Sequence, residues 1–158
     1  MKKGILVLAI GTFLLSCNLK EKKEGFVMKR PKPVVKVEMA EAIEIPIDMN
    51  NKGVGPVKSV SFDAEIDAAL AAKGQEKYST TCVACHMANQ RLIGPALAGV
   101  FDRRSPEWVM NMILNPDGMI KEDPIAKALL KEYNNAVMLN FQFTEAEARA
   151  VAEYLRTF

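Results

Sequence analysis

The residues Cys82-Val83-Ala84-Cys85-His86 decide how this chain is interpreted. Two thiols with two residues between them lie about one helical turn apart, so both reach the same edge of a flat macrocycle. The imidazole that follows is then directed at a metal in its centre. This spacing is the attachment signature of haem c. The sequence therefore predicts one covalent haem, held by Cys82 and Cys85, with His86 as an iron ligand.

A cysteine pair of this spacing also occurs in thiol redox proteins and in zinc sites. A thioredoxin-like pair needs a preceding strand and alternating strands and helices, whereas the flanking residues here have helical patterns. A zinc site needs four ligands, but the chain has one histidine and three cysteines, the third being Cys17. No cysteine is left for a disulfide framework, and haem is favoured.

A helical repeat precedes the cysteine pair. Ile66, Leu70, Gly74 and Tyr78 recur every four residues and mark one face of a helix. From about residue 61 to its C-terminus, the chain resembles the class I c-type cytochromes. The resemblance implies an all-α fold of about four short helices around one haem, in which Gly74 permits close crossing by the last helix. It also implies an electron carrier rather than an enzyme.

The segment after the motif is similar to the loop that follows the haem in this family. The resemblance implies that the Pro95 carbonyl accepts a hydrogen bond from the ligating imidazole. It also places Arg103 near a haem propionate and gives the Trp108 indole the same role, although both fit ordinary surface and core positions equally well. The family usually has glycine where Asp102 stands, which weakens the choice of Arg103 over Arg104.

Capping residues predict the remaining helices. Ser105, followed by proline, begins a helix that ends at Asn115, and Asp123, again followed by proline, begins another. Thr144 opens a capping box for a last helix that runs to about Phe158.

The second axial ligand is a separate question. Because His86 is the only histidine, this ligand is methionine, lysine, water or nothing. The family takes it from the loop before the last helix, where Met138 stands, although the proline that often follows is absent here. Met119, just after a predicted helix stop, is the second candidate. Met110 and Met112 lie within a helix, where methionine usually packs in the core.

Residues 1–17 have the features of an export signal. Lys2 and Lys3 precede an apolar stretch that is short for a membrane span, and Leu-Leu-Ser precedes Cys17. This ending resembles the bacterial lipobox, in which the cysteine is lipidated after cleavage. The sequence predicts an exported protein, anchored by lipid at Cys17 to the periplasmic face of a membrane. An ordinary signal peptide or an uncleaved anchor helix is the alternative.

Residues 18–60 are interpreted as an extended tether before a cytochrome domain at 61–158. Their charges are mixed, and alternating apolar residues between Val35 and Ile47 suggest a strand, which Pro46 would keep at a sheet edge. Lys2 and Lys3 account for the net charge of +2, so the chain after residue 17 is nearly neutral. This balance excludes the basic stripe of a nucleic-acid-binding protein.

The predicted partners are redox proteins. Ligation by histidine and methionine leaves no open iron position, which favours outer-sphere electron transfer. Upstream we expect a quinol-oxidising complex or another cytochrome. Downstream we expect an exported reductase, such as nitrous oxide reductase, or a terminal oxidase. The alternative is a five-coordinate haem that binds a small gas or carries out oxygen chemistry.

Overall fold

A computed structural model describes residues 44–158. The predicted export signal, the lipidation site at Cys17 and most of the alternating segment from Val35 to Ile47 lie outside these residues. The few residues of that segment within the description, from 44 to 47, form neither helix nor strand.

The described part of the chain folds into α-helices. Between residues 44 and 158 there is no strand, only an isolated parallel bridge between Asp48 and Arg104. None of the helices in this range has the length and apolar character that a membrane span requires. The all-α class is confirmed. The helices are α1 (Ala68–Thr81), α2 (Pro106–Leu114), α3 (Pro116–Glu122), α4 (Pro124–Glu132) and α5 (Glu145–Leu155), with one 3-10 turn at Val100–Asp102.

Side-chain caps start the helices where the sequence predicts. The hydroxyl of Ser105 accepts a hydrogen bond from the Trp108 amide at 3.1 Å, and the carboxylate of Asp123 caps α4 in the same way. At α5, Thr144 and Glu147 exchange both bonds of a capping box. Each cap satisfies an amide that has no partner within its helix, which fixes the starting residue.

Two local features differ from the expectation. Asn115 ends α2 but its side chain also accepts a bond from the Gly118 amide at 3.2 Å, so the predicted stop starts α3. The domain therefore has one more helix than the four or so expected. Ile66 lies outside α1, because Asp67 caps the helix, and its side chain is 41% exposed.

The first and last helices cross at Gly74. A methyl group at this position would lie 2.0 Å from the carbonyl oxygen of Ala150, so only glycine allows the two backbones to approach this closely. Further along α1, Tyr78 packs against the rings of Tyr154 and Phe158, with centroids 5.3 and 5.6 Å away. These contacts hold the C-terminal end of α1, where the cysteine pair begins.

Residues 44–60 pack on the helices, so the domain begins before the boundary expected at residue 61. Asn111 on α2 is 1% exposed, and its amide donates to the carbonyls of Lys52 and Val57 at 2.8 and 2.9 Å. Its oxygen accepts from the Val57 amide at 3.0 Å. The segment packs without being a helix, because hydrogen bonds from the buried Asn111 hold its main chain. A search for helical repeats in the sequence therefore does not detect it.

Candidate haem-binding site

The cysteine pair continues the last turn of α1. Cys82 is the C-cap residue, and its carbonyl accepts bonds from the amides of Cys85 at 3.0 Å and His86 at 2.9 Å. These bonds place the two thiols and the imidazole on one tight turn. Tyr78 supports the turn, since its hydroxyl lies 3.2 Å from the carbonyl oxygen of His86 and donates to it.

The surroundings of the Cys82 thiol disfavour its ionisation in the polypeptide without haem. Burial raises its pKa, a hydrogen bond with Thr81 opposes this, and Cys85 raises it further. A reactive disulfide-exchange pair instead needs a cysteine whose pKa is lowered. Cys82 therefore does not have the lowered pKa of a reactive exchange cysteine.

The imidazole of His86 is held in one orientation. Its Nδ1 lies 3.0 Å from the carbonyl oxygen of Pro95, and a carbonyl can only accept, so Nδ1 carries the proton. The lone pair of Nε2 is then free for a metal ion. The ring also fills the space beside Gly94, where an added methyl group would lie 2.5 Å from Cε1.

The cysteines and the histidine line one large apolar cavity of about 260 Å³. Its walls come from all five helices and from the loop before α5, and most of the lining residues are aliphatic or aromatic. A porphyrin is a flat apolar body that needs such walls, two thiols at one edge and an imidazole aimed at its centre. The residues present fit this group.

A zinc site has no comparable support. Among residues 44–158 no three side chains of the types histidine, cysteine, aspartate and glutamate come together as metal ligands. The cavity wall includes Cys82, Cys85 and His86, but these side chains do not form a cluster that could hold a metal ion. This arrangement fits a macrocycle better than a small cation.

Met138 and Met119 occupy different environments. Met138 is partly buried and lines the cavity that contains His86. Met119 is fully buried, packs beside Gly53 and Trp108, and accepts a hydrogen bond at its sulfur from the Val54 amide at 3.0 Å. It is not part of the cavity wall. Met112 on α2 is a further methionine at the wall.

A protein-family model described as Cytochrome c matches residues 71–158, more than half of the chain. The chain belongs to the cytochrome c family. It therefore contains one covalently bound haem c, and it is a mono-haem electron carrier that interacts with redox partners. A cytochrome c domain is typically a carrier and not an enzyme.

Solved structures of other cytochromes agree with this family. The chain is 48% identical to a cytochrome c from Rhodothermus marinus, with 65% of this chain and 88% of that chain covered and a TM-score of 0.63. An engineered form of that protein matches at the same identity over 65% and 89%, also with a TM-score of 0.63. A further structure of the engineered form, bound to a carbene intermediate, has a TM-score of 0.60 at 48% identity, covering 65% and 88%. No curated protein matches the chain.

Arg103 and Arg104 both line the cavity, and they differ in which of their N–H groups have hydrogen-bond partners. Arg103 donates to the carbonyl oxygens of Ala98 at 3.1 Å and Ala96 at 3.3 Å. Arg104 is 5% exposed and donates to the Pro46 carbonyl at 2.9 Å, but its Nε is buried with no partner among the described residues. Burial is also the main cause that lowers the pKa of Arg104. A buried donor without an acceptor points to a missing anionic or polar group.

The role expected for Trp108 is not the one the structure gives it. Its indole N–H donates to the Asp123 carboxylate at 3.1 Å, and a buried indole has only this one donor. Asp123 is 2% exposed and also accepts a bond from Asn51 at 2.6 Å. Trp108 still contributes its ring to the cavity wall, but its N–H is not available to a propionate.

Sequence reasoning missed two supporting residues of the site. It gave Tyr78 only a helix-face position, although its hydroxyl bonds the His86 carbonyl, and burial is the main cause that raises its pKa. It preferred Arg103 to Arg104, and two adjacent arginines in a sequence give no signal of which one has a buried Nε without a partner.

Proposed function

We propose that this cytochrome is an exported, lipid-anchored carrier of a respiratory chain, whose haem is bonded to Cys82 and Cys85 and ligated by His86 and Met138. One observation carries the proposal: all four side chains line the same apolar cavity. The bound haem supplies a one-electron Fe(III)/Fe(II) couple. His86 and Met138 would hold the iron between them and leave no position for a substrate, which suits outer-sphere electron transfer.

Each residue has a distinct task in this arrangement. The cysteines fix one edge of the macrocycle, so it cannot dissociate. The Pro95 carbonyl holds the Nδ1 proton of His86 and keeps Nε2 directed at the metal. A thioether from Met138 favours Fe(II) and so raises the reduction potential. The apolar wall keeps water from the iron.

We assign the propionate contact to Arg104 instead of Arg103. Both arginines line the cavity and both bond two carbonyls, Arg103 through Nη1 and Nη2 and Arg104 through Nη1 alone. The buried Nε of Arg104, which has no partner among the described residues, is the observation that favours Arg104. A carboxylate there would form a charge-assisted hydrogen bond.

The partners we propose are redox proteins at the same membrane surface. A quinol-oxidising complex or a second cytochrome supplies electrons, and an exported reductase or an oxidase accepts them, nitrous oxide reductase being one candidate. Support for this location comes from the lipobox-like sequence before Cys17 and from the nearly neutral remainder of the chain, which suits neither nucleic acid nor another polyanion.

The absorption spectrum of the wild-type protein distinguishes an electron carrier from a five-coordinate haem that binds a gas. The ferric form should show the sulfur-to-iron charge-transfer band of methionine ligation, and the ferrous form should bind carbon monoxide only slowly, because Met138 occupies the site. Rapid carbon monoxide binding together with an absent band would instead favour the five-coordinate alternative.

Replacing Cys17 by alanine tests the anchor. Lipid on Cys17 buries more than one acyl chain in the bilayer, which is enough for stable attachment. Wild-type protein should incorporate radiolabelled palmitate and sediment with membranes, and Cys17→Ala should lose the label while keeping its haem. A wild type that is recovered in the soluble fraction without detergent contradicts the anchor and leaves the haem assignment intact.

A further inference from the structure

The guanidinium of Arg91 joins two segments that lie 41 residues apart in sequence. Its Nη1 donates to the Glu132 carboxylate at 2.5 Å and its Nη2 to the Glu132 carbonyl, also at 2.5 Å. The same group lies over the ring of Tyr133, 4.0 Å from the centroid. We call these three residues the Arg91 clasp.

One end of the clasp is connected rigidly to His86. Arg91 belongs to the loop that follows the histidine, and the amide of Gly94 in this loop bonds the Cys85 carbonyl at 2.8 Å. Pro95 then holds the imidazole. These hydrogen bonds attach the loop to the histidine side of the cavity.

The other end of the clasp is the base of the segment that carries Met138. Glu132 is the last residue of α4, and Met138 follows six residues later. Between them the chain reverses through Asn134 and Asn135, both with left-handed φ angles of 57° and 58°. Tyr133 and Met138 both line the cavity. The direction in which this segment leaves α4 thus decides where the thioether lies.

The segment that carries Met138 has few hydrogen bonds of its own. In the described structure, the main-chain groups of residues 137–141 make no hydrogen bond. Leu139 and Val137 are exposed by 64% and 53%. No proline follows Met138 to restrain the backbone. Apart from side-chain packing on the cavity wall, the segment is therefore held by hydrogen bonds only at its ends, and the Arg91 clasp lies near the N-terminal one.

We propose that Arg91 is a positioning residue for Met138, acting through Glu132 and Tyr133 to set the distance between the two axial ligands. This inference rests on the proposed function, because it takes Met138 as the sixth ligand. The arginine and glutamate side chains are 46% and 25% exposed, and a simple ion pair at such a site contributes little. A two-pronged bond combined with stacking on an aromatic ring contributes more, since it fixes an orientation.

The test is cyanide binding to the ferric holoprotein, which requires the methionine to leave the iron first. Arg91→Gln should accelerate cyanide binding about tenfold, a change of about 1.4 kcal/mol in the ligand-off equilibrium or its barrier. It should also weaken the sulfur-to-iron charge-transfer band on mild warming. Glu132→Gln keeps the carbonyl bond and should give a smaller acceleration in the same direction.

Two control variants separate positioning from charge and general stability. Lys131→Gln removes one positive charge from an exposed residue next to Glu132. Lys52→Gln breaks an ion pair with Glu107, 3.1 Å long, whose residues are not part of the cavity wall. Both variants should keep the cyanide rate and the band of the wild type, even where the unfolding temperature falls.

The outcomes are distinguishable. A wild type without the charge-transfer band overturns the inference together with the Met138 assignment. A wild type with the band, combined with an unchanged cyanide rate in Arg91→Gln, overturns the inference and leaves the proposed function standing. An equal acceleration in Lys131→Gln or Lys52→Gln also overturns it, because charge or stability would then explain the effect.

Discussion

A chain with both Cys82 and Cys85 replaced by alanine is expected to contain no covalent haem and to fail to reach the native fold. The cavity beside these cysteines is walled by aliphatic and aromatic side chains from all five helices. Without the macrocycle, these apolar surfaces face water instead of the haem, so a large part of the driving force for folding is lost. The double variant should show no haem mass by mass spectrometry and little helical circular dichroism.

The single variants and the third cysteine provide the controls. Cys82→Ala and Cys85→Ala should each keep one thioether bond, which shifts the ferrous absorption maxima, and both should be less stable than the wild type. Cys17→Ala, which changes a cysteine outside the motif, should keep the full haem content. Wild-type haem that is extracted by acid acetone would contradict covalent attachment, as would full haem retention by the double variant.

Replacing Met138 by alanine is expected to have the second largest effect. The thioether is lost, so the charge-transfer band should disappear, and cyanide and carbon monoxide should gain access to the iron. The reduction potential should fall, because the preference of the sulfur for Fe(II) is removed. Absorption spectra, ligand-binding kinetics and a redox titration of the purified holoprotein measure these three changes.

The control substitutions at the other methionines should keep the core packed, so that a loss of stability is not mistaken for a loss of the ligand. Met119 is fully buried, and its replacement by alanine would cost about 2–5 kcal/mol of stability, so Met119→Leu is the better choice. It should keep the band and the potential. Met112 also lines the cavity, and Met112→Leu completes the comparison. Loss of the band in either leucine variant, with retention in Met138→Ala, would show that the ligand is misassigned.

Features governed by neighbours in sequence could be predicted without the structure. The helix starts at Ser105, Asp123 and Thr144 depend on a side chain that accepts a bond from the amide three residues ahead, so the residues alone specify them. The spacing of Cys82, Cys85 and His86 is equally local, because one turn of helix fixes it. The haem itself could be inferred from these positions for the same reason.

Features that depend on distant partners could not be predicted. The family resemblance offered Trp108 a propionate contact beside an ordinary core role, and in the structure the buried Asp123 accepts its only N–H. The sequence placed residues 44–60 in a tether, but Asn111 binds that segment through its amide. A periodic pattern reports which face of a helix is apolar and carries no information on which backbone group a buried polar side chain will meet.

The helix starts and the haem attachment motif could thus be identified from the residues alone, because each depends on contacts within about one turn of the chain, and the family resemblance added the all-α class. The unpartnered Nε of Arg104 and the contact of Arg91 with Glu132 became visible only in the folded protein. These contacts join residues far apart in sequence or depend on how a buried side chain is oriented. They exist only after the helices have packed, since packing sets the distances between such groups.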